Sequence, residues 1–267
     1  MSGSLSPVMV SPIVHRAAEA GVVLEADQWD ALARYRDLIL EWNRRFNLTA
    51  IRDPAGVEER LFLDALRLLP ALDAVLSRTA SMPPEVARLL DVGTGAGLPG
   101  MVLAIARPAL AVTLLDATGK KVRFLEHVIA DLGLDRVTAV HGRAEDLGHD
   151  PAERDTYAVV SARAVSSLPA LLELAAPFLT LGGTALFPKS IDLDDELAAG
   201  RRAAPLVGMA IDAAAVLPGS TTRLVIATKR APTPVSYPRR AGLPAHEPLG
   251  GRGAVPANRG GSRGGTR

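Results

Sequence analysis

The chain has 267 residues, 48% of them hydrophobic, with 30 Lys and Arg against 29 Asp and Glu and no cysteine. That length and apolar content suffice for one main core with additions. The missing cysteines exclude disulfides and thiolate metal sites, and no apolar run approaches the ~18 residues of a membrane span.

The net charge of +1 conceals an asymmetry. From Lys229 to Arg267 eight basic residues face one acid, Glu247, which gives +7, while the rest of the chain carries −6. A basic end on an acidic body points to a polyanionic partner. The plainer alternative is a solvated, disordered end. The opening MSGSLSPVMVSPIVH lacks the basic-then-apolar order of a secretory signal, so a cytoplasmic protein is expected. The NLT at Asn47–Thr49 matches a glycosylation sequon by chance.

In chain order, Trp29, Leu32, Tyr35, Leu38, Ile39 and Trp42 predict an amphipathic helix over 27–46, with Asp27 as N-cap. A second helix is expected from Ala55 to Leu76, and Pro83 and Pro84 then break the pattern. Beyond them the period changes. Short apolar runs (ARLLDV, AVTLLD, VTAV, YAVVSA, GGTALF) alternate with helical stretches near Lys120–Leu132 and Leu168–Leu179, and TTRLVIATK reads as a late strand. Strands alternating with helices of this length predict an α/β fold whose mostly parallel, doubly wound sheet is covered on both faces. The expected organisation is a helical cap over 1–84, an α/β domain over 85–230, and a Pro-rich then Gly/Arg-rich tail over 231–267. The last eighteen residues, nearly devoid of apolar side chains, are expected to stay disordered.

The stretch LLDVGTGAGLPG at 89–100 carries the chemistry. Glycines after a strand let a ligand approach the backbone. One parse, Gly95-x-Gly97-x-x-Gly100 with Asp116 ending the next strand, is a dinucleotide fingerprint and would imply a nicotinamide-dependent oxidoreductase. The other, Asp91-x-Gly93-x-Gly95-x-Gly97, resembles the first motif of S-adenosylmethionine (SAM) methyltransferases. Three features favour SAM. Asp91 would repel a pyrophosphate and attract the ammonium and sulfonium groups. Pro99 removes a backbone N–H where a phosphate would need one. HGRAEDL at 141–147 supplies an acid, Glu145 or Asp146, for the adenine amino group; the alternative for those acids is N-capping.

These blocks fall in order with others: VTLLDATGKKVRFLEHV, SARAVSSLPALLELAAPFL and GGTALFPK, with EWNRRFNLTAIRDP upstream and YPRRAGLPAHEPL downstream. Together, over residues 25–249, the chain resembles the RsmG/GidB family, the bacterial 16S rRNA guanine-N7 methyltransferases. The resemblance implies a Rossmann-like class I SAM-dependent methyltransferase fold with an N-terminal helical cap. It implies SAM contacts at Gly93, Leu98, Ala144, Glu145 and Arg163, with Asp116 as the ribose acid. Lys120, Arg143, Arg163 and Lys189 match charged positions around the SAM and RNA site. Arg163 also stands out from its own context, since it follows an apolar strand at the sheet's carboxyl edge, where ligands bind. Where the family has an RHFLDS-like block this chain reads RLFLDA, with Leu61 and Ala65 in place of histidine and serine. The implied partner is 16S rRNA in the small ribosomal subunit or an assembly intermediate, acted on by a monomer.

N7 of guanine carries a lone pair and no proton, so attack on the SAM methyl is an in-line displacement that needs no general base. Positioning alone supplies about 7–11 kcal/mol at its favourable limit. The absence of a catalytic dyad fits this, as does the SARA stretch where exocyclic-amine methyltransferases carry an (D/N)PP(Y/F) motif. The five histidines, His15, His127, His141, His149 and His246, show no metal spacing, and no metal is expected. No Gly-x-Ser-x-Gly or Walker pattern appears. A second alternative is a ribosome-binding protein that has kept the fold and lost activity.

Overall fold

The computed structural model describes residues 11–78 and 87–250. The first part is helical: α1 (Pro12–Glu19), α2 (Ala26–Asn43), α3 (Pro54–Val57), one π turn (Glu58–Phe62), α4 (Leu63–Leu66) and α5 (Leu69–Arg78). Helix α2 buries Trp29, Leu32, Tyr35, Leu38 and Ile39, the stripe its periodicity predicts. Its N-cap is Glu25, not Asp27: the Glu25 N–H donates to Gln28 Oε1 at 2.8 Å, which moves the start upstream and leaves Asp27 inside the first turn. The single helix expected over 55–76 is interrupted by the π turn and again at Arg67–Leu68. There Arg67 donates to Asp64 (3.0 Å) and across to the Gly219 carbonyl (2.6 Å), joining this segment to a distant hairpin. Pro83, Pro84 and the Gly/Arg tail beyond Gly250 lie outside the described residues.

The α/β part runs β1 (Arg88–Val92), α6 (Gly100–Ala106), β2 (Ala111–Asp116), α7 (Gly119–Leu132), β3 (Val137–His141), α8 (Ala144–Leu147), β4 (Tyr157–Ser161), α9 (Leu168–Ala175), β5 (Leu179–Ser190), α10 (Asp194–Ala203), β6 (Met209–Val216), β7 (Thr222–Lys229) and α11 (Leu243–His246). The seven strands lie in the order β3-β2-β1-β4-β5-β7-β6, parallel except for β7, which is antiparallel to both its neighbours. This is the doubly wound, Rossmann-like class I methyltransferase order. The order reverses between β1 and β4, and that switch point is where open α/β sheets bind ligands.

Neighbouring residues on a strand point to opposite faces. Leu89, Leu114 and Val159 therefore join α2, α6 and α7 in one core, while Leu90, Leu115 and Val160 join α9 and α10 in the other. Burial on both faces explains why the strands read as unbroken apolar runs. Helix α10 was not among the expected elements, and two strands differ from expectation as well. Leu179 opens β5 instead of closing a helix, because α9 stops at Ala175 and Pro177 cannot continue it. The strand β6, MAIDAAAV, was not predicted, since its alanines carry little strand propensity.

Residues 231–250 form a strap that folds back over the second face. Arg154 donates to the carbonyls of Thr233 (2.8 Å) and Tyr237 (2.9 Å). Three of the basic residues counted in the C-terminal excess are paired. Lys229, 1% exposed, donates to Asp155 and to the Ala176 and Leu179 carbonyls at 2.8 Å. Arg230 pairs with Asp212, and Arg239 with Glu173.

Candidate functional site

The glycine loop leaves β1 and enters α6 behind a buried acid. Asp91 is fully buried and accepts from Thr94 Oγ1 (2.5 Å), Ser161 Oγ (2.7 Å) and the Gly100 N–H (2.9 Å). Burial raises its carboxyl above the usual range, and these three donors offset only part of the rise. Asp91 thus fastens the loop to β4 and α6, and its carboxylate does not open onto a cavity. It also takes the N-terminal N–H of α6, the group a nucleotide pyrophosphate would use in a dinucleotide site. That geometry disfavours the nicotinamide alternative.

The loop's glycines serve different ends. Gly97, at φ +96°, lies where a Cβ would stand 2.6 Å from the Tyr35 hydroxyl. Its absence lets Tyr35, stacked on Phe62 at 5.1 Å, donate to the Ala96 carbonyl from the helical cap. Burial pushes the Tyr35 phenol far up, so it remains a donor. Gly93, at φ +63°, faces Val165, whose Cγ2 would be 2.6 Å from a Cβ. Gly95, at φ +65°, would have its Cβ in no contact closer than the Gly93 carbonyl oxygen at 4.0 Å.

A cavity of about 220 Å³ opens at the carboxyl ends of β1, β2 and β3. Its walls include Gly93, Asp116, Arg143, Ala144 and Glu145, with apolar sides from Val92, Leu115, Val165 and Leu174. Asp116 Oδ2 accepts from the Gly95 N–H (2.9 Å) and Oδ1 from the Thr118 N–H (2.8 Å), with Lys121 Nζ at 3.6 Å. Glu145 Oε1 accepts from the Gly242 N–H (2.9 Å). Each carboxylate keeps lone pairs for further donors. Two acceptors flanking an apolar slot match an adenosine, with its ribose diol and exocyclic amine, so the donor set fits SAM.

A second, open groove of about 1070 Å³ lies on the other side of the loop after β4. It runs between the helical cap (Arg16, Arg60, Leu61, Asp64, Arg67) and the β6–β7 hairpin (Val216–Thr221), with Arg163 and Ala164 at its edge. Ala164 holds φ +56°, a strained value for a residue with a Cβ, at the point where the loop parts the two cavities. Arg163 makes no hydrogen bond or ion pair among the described residues. Burial lowers its guanidinium somewhat, while Asp64, Asp91 and Tyr35 hold the charge in place.

The structure brings Gly93, Asp116, Arg143, Ala144 and Glu145 to one cavity, with Gly95 tied to Asp116. Asp91, Gly97 and Leu98 lie behind it, buried, where they support the loop. Arg163 faces the groove. Lys120 is exposed, its ammonium 5.7 Å from the Phe46 ring. Lys189 is committed elsewhere: its Nζ pairs with Glu196 (2.6 Å) and donates to the Ser166 carbonyl (2.9 Å), which braces the 162–167 loop. Leu61 and Ala65, the departures from the RHFLDS pattern, are 8% and 1% exposed in the apolar core. Asp64 between them keeps a carboxylate at the groove. Sequence reasoning missed Val165, Leu174, Gly242 and Ala245 as cavity walls; only the YPRRAGLPAHEPL block hinted at the last two.

Comparison with known proteins gives the same direction. Residues 28–217 match the family model described as rRNA small subunit methyltransferase G. A "Ribosomal RNA small subunit methyltransferase G" of Chloroflexus aggregans is 46% identical over 232 residues, covering 86% of this chain and 93% of that protein. Its namesake in Roseiflexus castenholzii is 42% identical over 236 residues, 87% and 97% of the two chains. The one in Leuconostoc citreum is 37% identical over 243 residues, 90% and 99%. With the Rossmann-like sheet, the acid-bound glycine loop and these relatives together, the chain belongs to the GidB family of rRNA small subunit methyltransferase G.

Proposed function

We propose that this protein transfers the methyl group of SAM to N7 of a guanine in 16S rRNA, in the small ribosomal subunit or an assembly intermediate of it, acting as a cytoplasmic monomer. The observation that carries the reading is the pair of cavities meeting at Arg163–Val165: one with acceptors for an adenosine, the other open, with Arg16, Arg60, Arg67 and Arg163 outnumbering Glu59 and Asp64 on its walls. SAM, when bound, supplies a methyl group on a sulfonium. Asp116 takes the ribose hydroxyls and Glu145 the adenine amino group, while the Gly93–Gly95 backbone follows the cofactor's chain. Arg163 holds the methionine carboxylate at the edge of the groove. Ala144 and Leu98 complete the apolar support, and Arg143 and Lys120 meet RNA phosphates at the rim. Lys189 keeps the 162–167 loop in place.

The guanine enters by the groove between the helical cap (1–84) and the hairpin of the α/β domain (85–230). Its N7 has no proton to lose, so no side chain here acts as a base. What the chain supplies is alignment, charge for phosphates and a wall that excludes water. The basic Gly/Arg segment at the end of the C-terminal region (231–267) adds sequence-independent attraction to RNA. Labelled methyl transfer from SAM to small subunits lacking the modification, followed by nucleoside analysis, tests the reading. The expected product is 7-methylguanosine; a label on another atom or base overturns the N7 assignment, and no label overturns the activity.

A further inference from the structure

The strap of residues 231–250 does more than cover a sheet face. Gly242, the N-cap of α11, and Ala245, within it, are walls of the same cavity as Asp116 and Glu145. The Gly242 N–H donates to Glu145 Oε1 at 2.9 Å, while Glu145 Oε2 has no partner among the described residues. The strap therefore fixes the rotamer of the one acid that faces the adenine side and leaves its second oxygen open to a donor. Gly242 stands at φ +84°, a backbone conformation that glycine adopts without strain, which lets the chain turn its N–H towards Glu145.

Arg154 holds the start of the strap through the Thr233 and Tyr237 carbonyls, and an ion pair on a buried acid holds the part next to Gly242. Glu173, on α9 and fully buried, accepts from the Arg239 N–H (2.8 Å), Nε (2.9 Å) and Nη2 (2.7 Å). Arg239 Nη2 also donates to the Glu247 carbonyl at 2.8 Å, which ties the two ends of the α11 turn together. Glu173 is followed on α9 by Leu174, itself a wall of the cavity. One bidentate ion pair thus spans the strap and the cavity's apolar side. Such planar pairing fixes geometry as well as energy.

We propose that the Arg239–Glu173 clamp is a positioning device for the cofactor: it docks the strap so that Gly242 orients Glu145 and closes the adenine end of the SAM site. Arg239 and Glu173 are positioning residues, since neither lines the cavity. Strap docking and cofactor binding are then linked, each strengthening the other by the same factor. The inference rests on the reading of this cavity as the SAM site.

Calorimetric titration of the full chain with S-adenosylhomocysteine and with adenosine tests it. Wild-type binding of S-adenosylhomocysteine checks the cofactor reading itself; no binding there overturns that reading and the clamp with it. Given binding, R239A is expected to weaken both ligands by about tenfold, the size of one lost charged hydrogen bond. R239K should recover part of the loss, and R230A, a neighbouring pair on Asp212 away from the cavity, should bind as wild type does. With methyl transfer as readout, the clamp predicts a higher KM for SAM and an unchanged kcat at saturation. Because R239A leaves Glu173 buried without a partner, hydrogen exchange on the wild-type chain gives an independent measure. S-adenosylhomocysteine should slow exchange at Gly242 and through 239–247. Unchanged affinity in a folded R239A, or strap exchange indifferent to S-adenosylhomocysteine, overturns the proposal while leaving the SAM site standing.

Discussion

On one side of the 162–167 loop the cavity beside Asp116 and Glu145 measures about 220 Å³, and both its carboxylates already accept backbone N–H groups. On the other side the groove measures about 1070 Å³, and Arg60 and Arg163 on its walls have no paired acid among the described residues. The first is organised by the chain itself; the second waits for charge from outside. The difference suits two ligands of different kinds. A small cofactor is gripped by fixed dipoles that need no reorganisation, whereas a polyanion is drawn by cations that exchange counterions for phosphates.

The largest effect should come from removing the acid that fixes the first region. Asp91→Ala leaves Gly100 N–H, Thr94 Oγ1 and Ser161 Oγ buried without their acceptor. At about 1–3 kcal/mol for each of the three unsatisfied groups, a loss of about 3–9 kcal/mol is expected in denaturant unfolding. S-adenosylhomocysteine binding should vanish with it, because the loop loses its tether to β4. Retained binding would show that the loop is held by something other than Asp91.

The two glycines then separate fold from ligand. At Gly93 a side chain meets Val165 at 2.6 Å as well as a strained φ, so Gly93→Val should cost stability and displace the loop that parts the cavities. At Gly95 the only cost inside the protein is the positive φ, about 1–2 kcal/mol. The nearest atom to its Cβ position is the Gly93 carbonyl oxygen at 4.0 Å, so nothing there clashes. Gly95→Val should therefore leave the melting transition nearer to wild type while abolishing cofactor binding. If Gly95→Val binds S-adenosylhomocysteine normally, the cofactor does not follow this part of the loop.

Arg163 stands where the two regions touch and decides how sharply they differ. Arg163→Ala should weaken S-adenosylhomocysteine by about 1.5–3 kcal/mol, the range for a charged hydrogen bond, and leave adenosine affinity alone, since adenosine has no carboxylate. If S-adenosylhomocysteine binds the variant as before and only RNA turnover falls, Arg163 belongs wholly to the groove.

Much of the first region was legible in the sequence because its determinants are local. Asp91, the glycines and Asp116 sit within one β-loop-α-β stretch, and Glu145 follows the next strand, so spacing alone assembles them. Even there the sequence could not tell a ligand contact from its support. Asp91 and Gly97 carry the right letters, yet one is enclosed by Thr94, Ser161 and Gly100 and the other makes room for Tyr35, more than sixty residues upstream. The strap wall and the Lys189–Glu196 brace were illegible for the same reason. They depend on contacts between distant segments, and a basic residue looks identical in sequence whether it meets solvent, RNA or a buried carboxylate. The β6 strand hid differently: its alanines favour helix over strand, so nothing in its letters marks a strand.

The smallest effect belongs to the groove's outer cation. Arg60 is exposed, lies on the π turn and lines the groove without a partner among the described residues. Arg16 and Arg67, which line the same groove, are paired with Glu59 and Asp64. A paired cation offers a phosphate less, since part of its charge is already answered. Arg60→Ala should therefore reduce RNA affinity modestly and lower the slope of log affinity against log salt by about one unit, the signature of one lost phosphate contact. Arg16→Ala, which frees Glu59 to repel the backbone, should weaken binding too, but with a smaller change in slope. Cofactor affinity should stay fixed in both, because neither residue lines the Asp116 cavity. Filter binding across a salt series reads the slopes directly. Equal slopes for wild type and Arg60→Ala would mean that the RNA backbone does not run along this wall, and the division of labour between the two cavities would then have to be redrawn with the phosphates elsewhere, at the Arg143 and Lys120 rim.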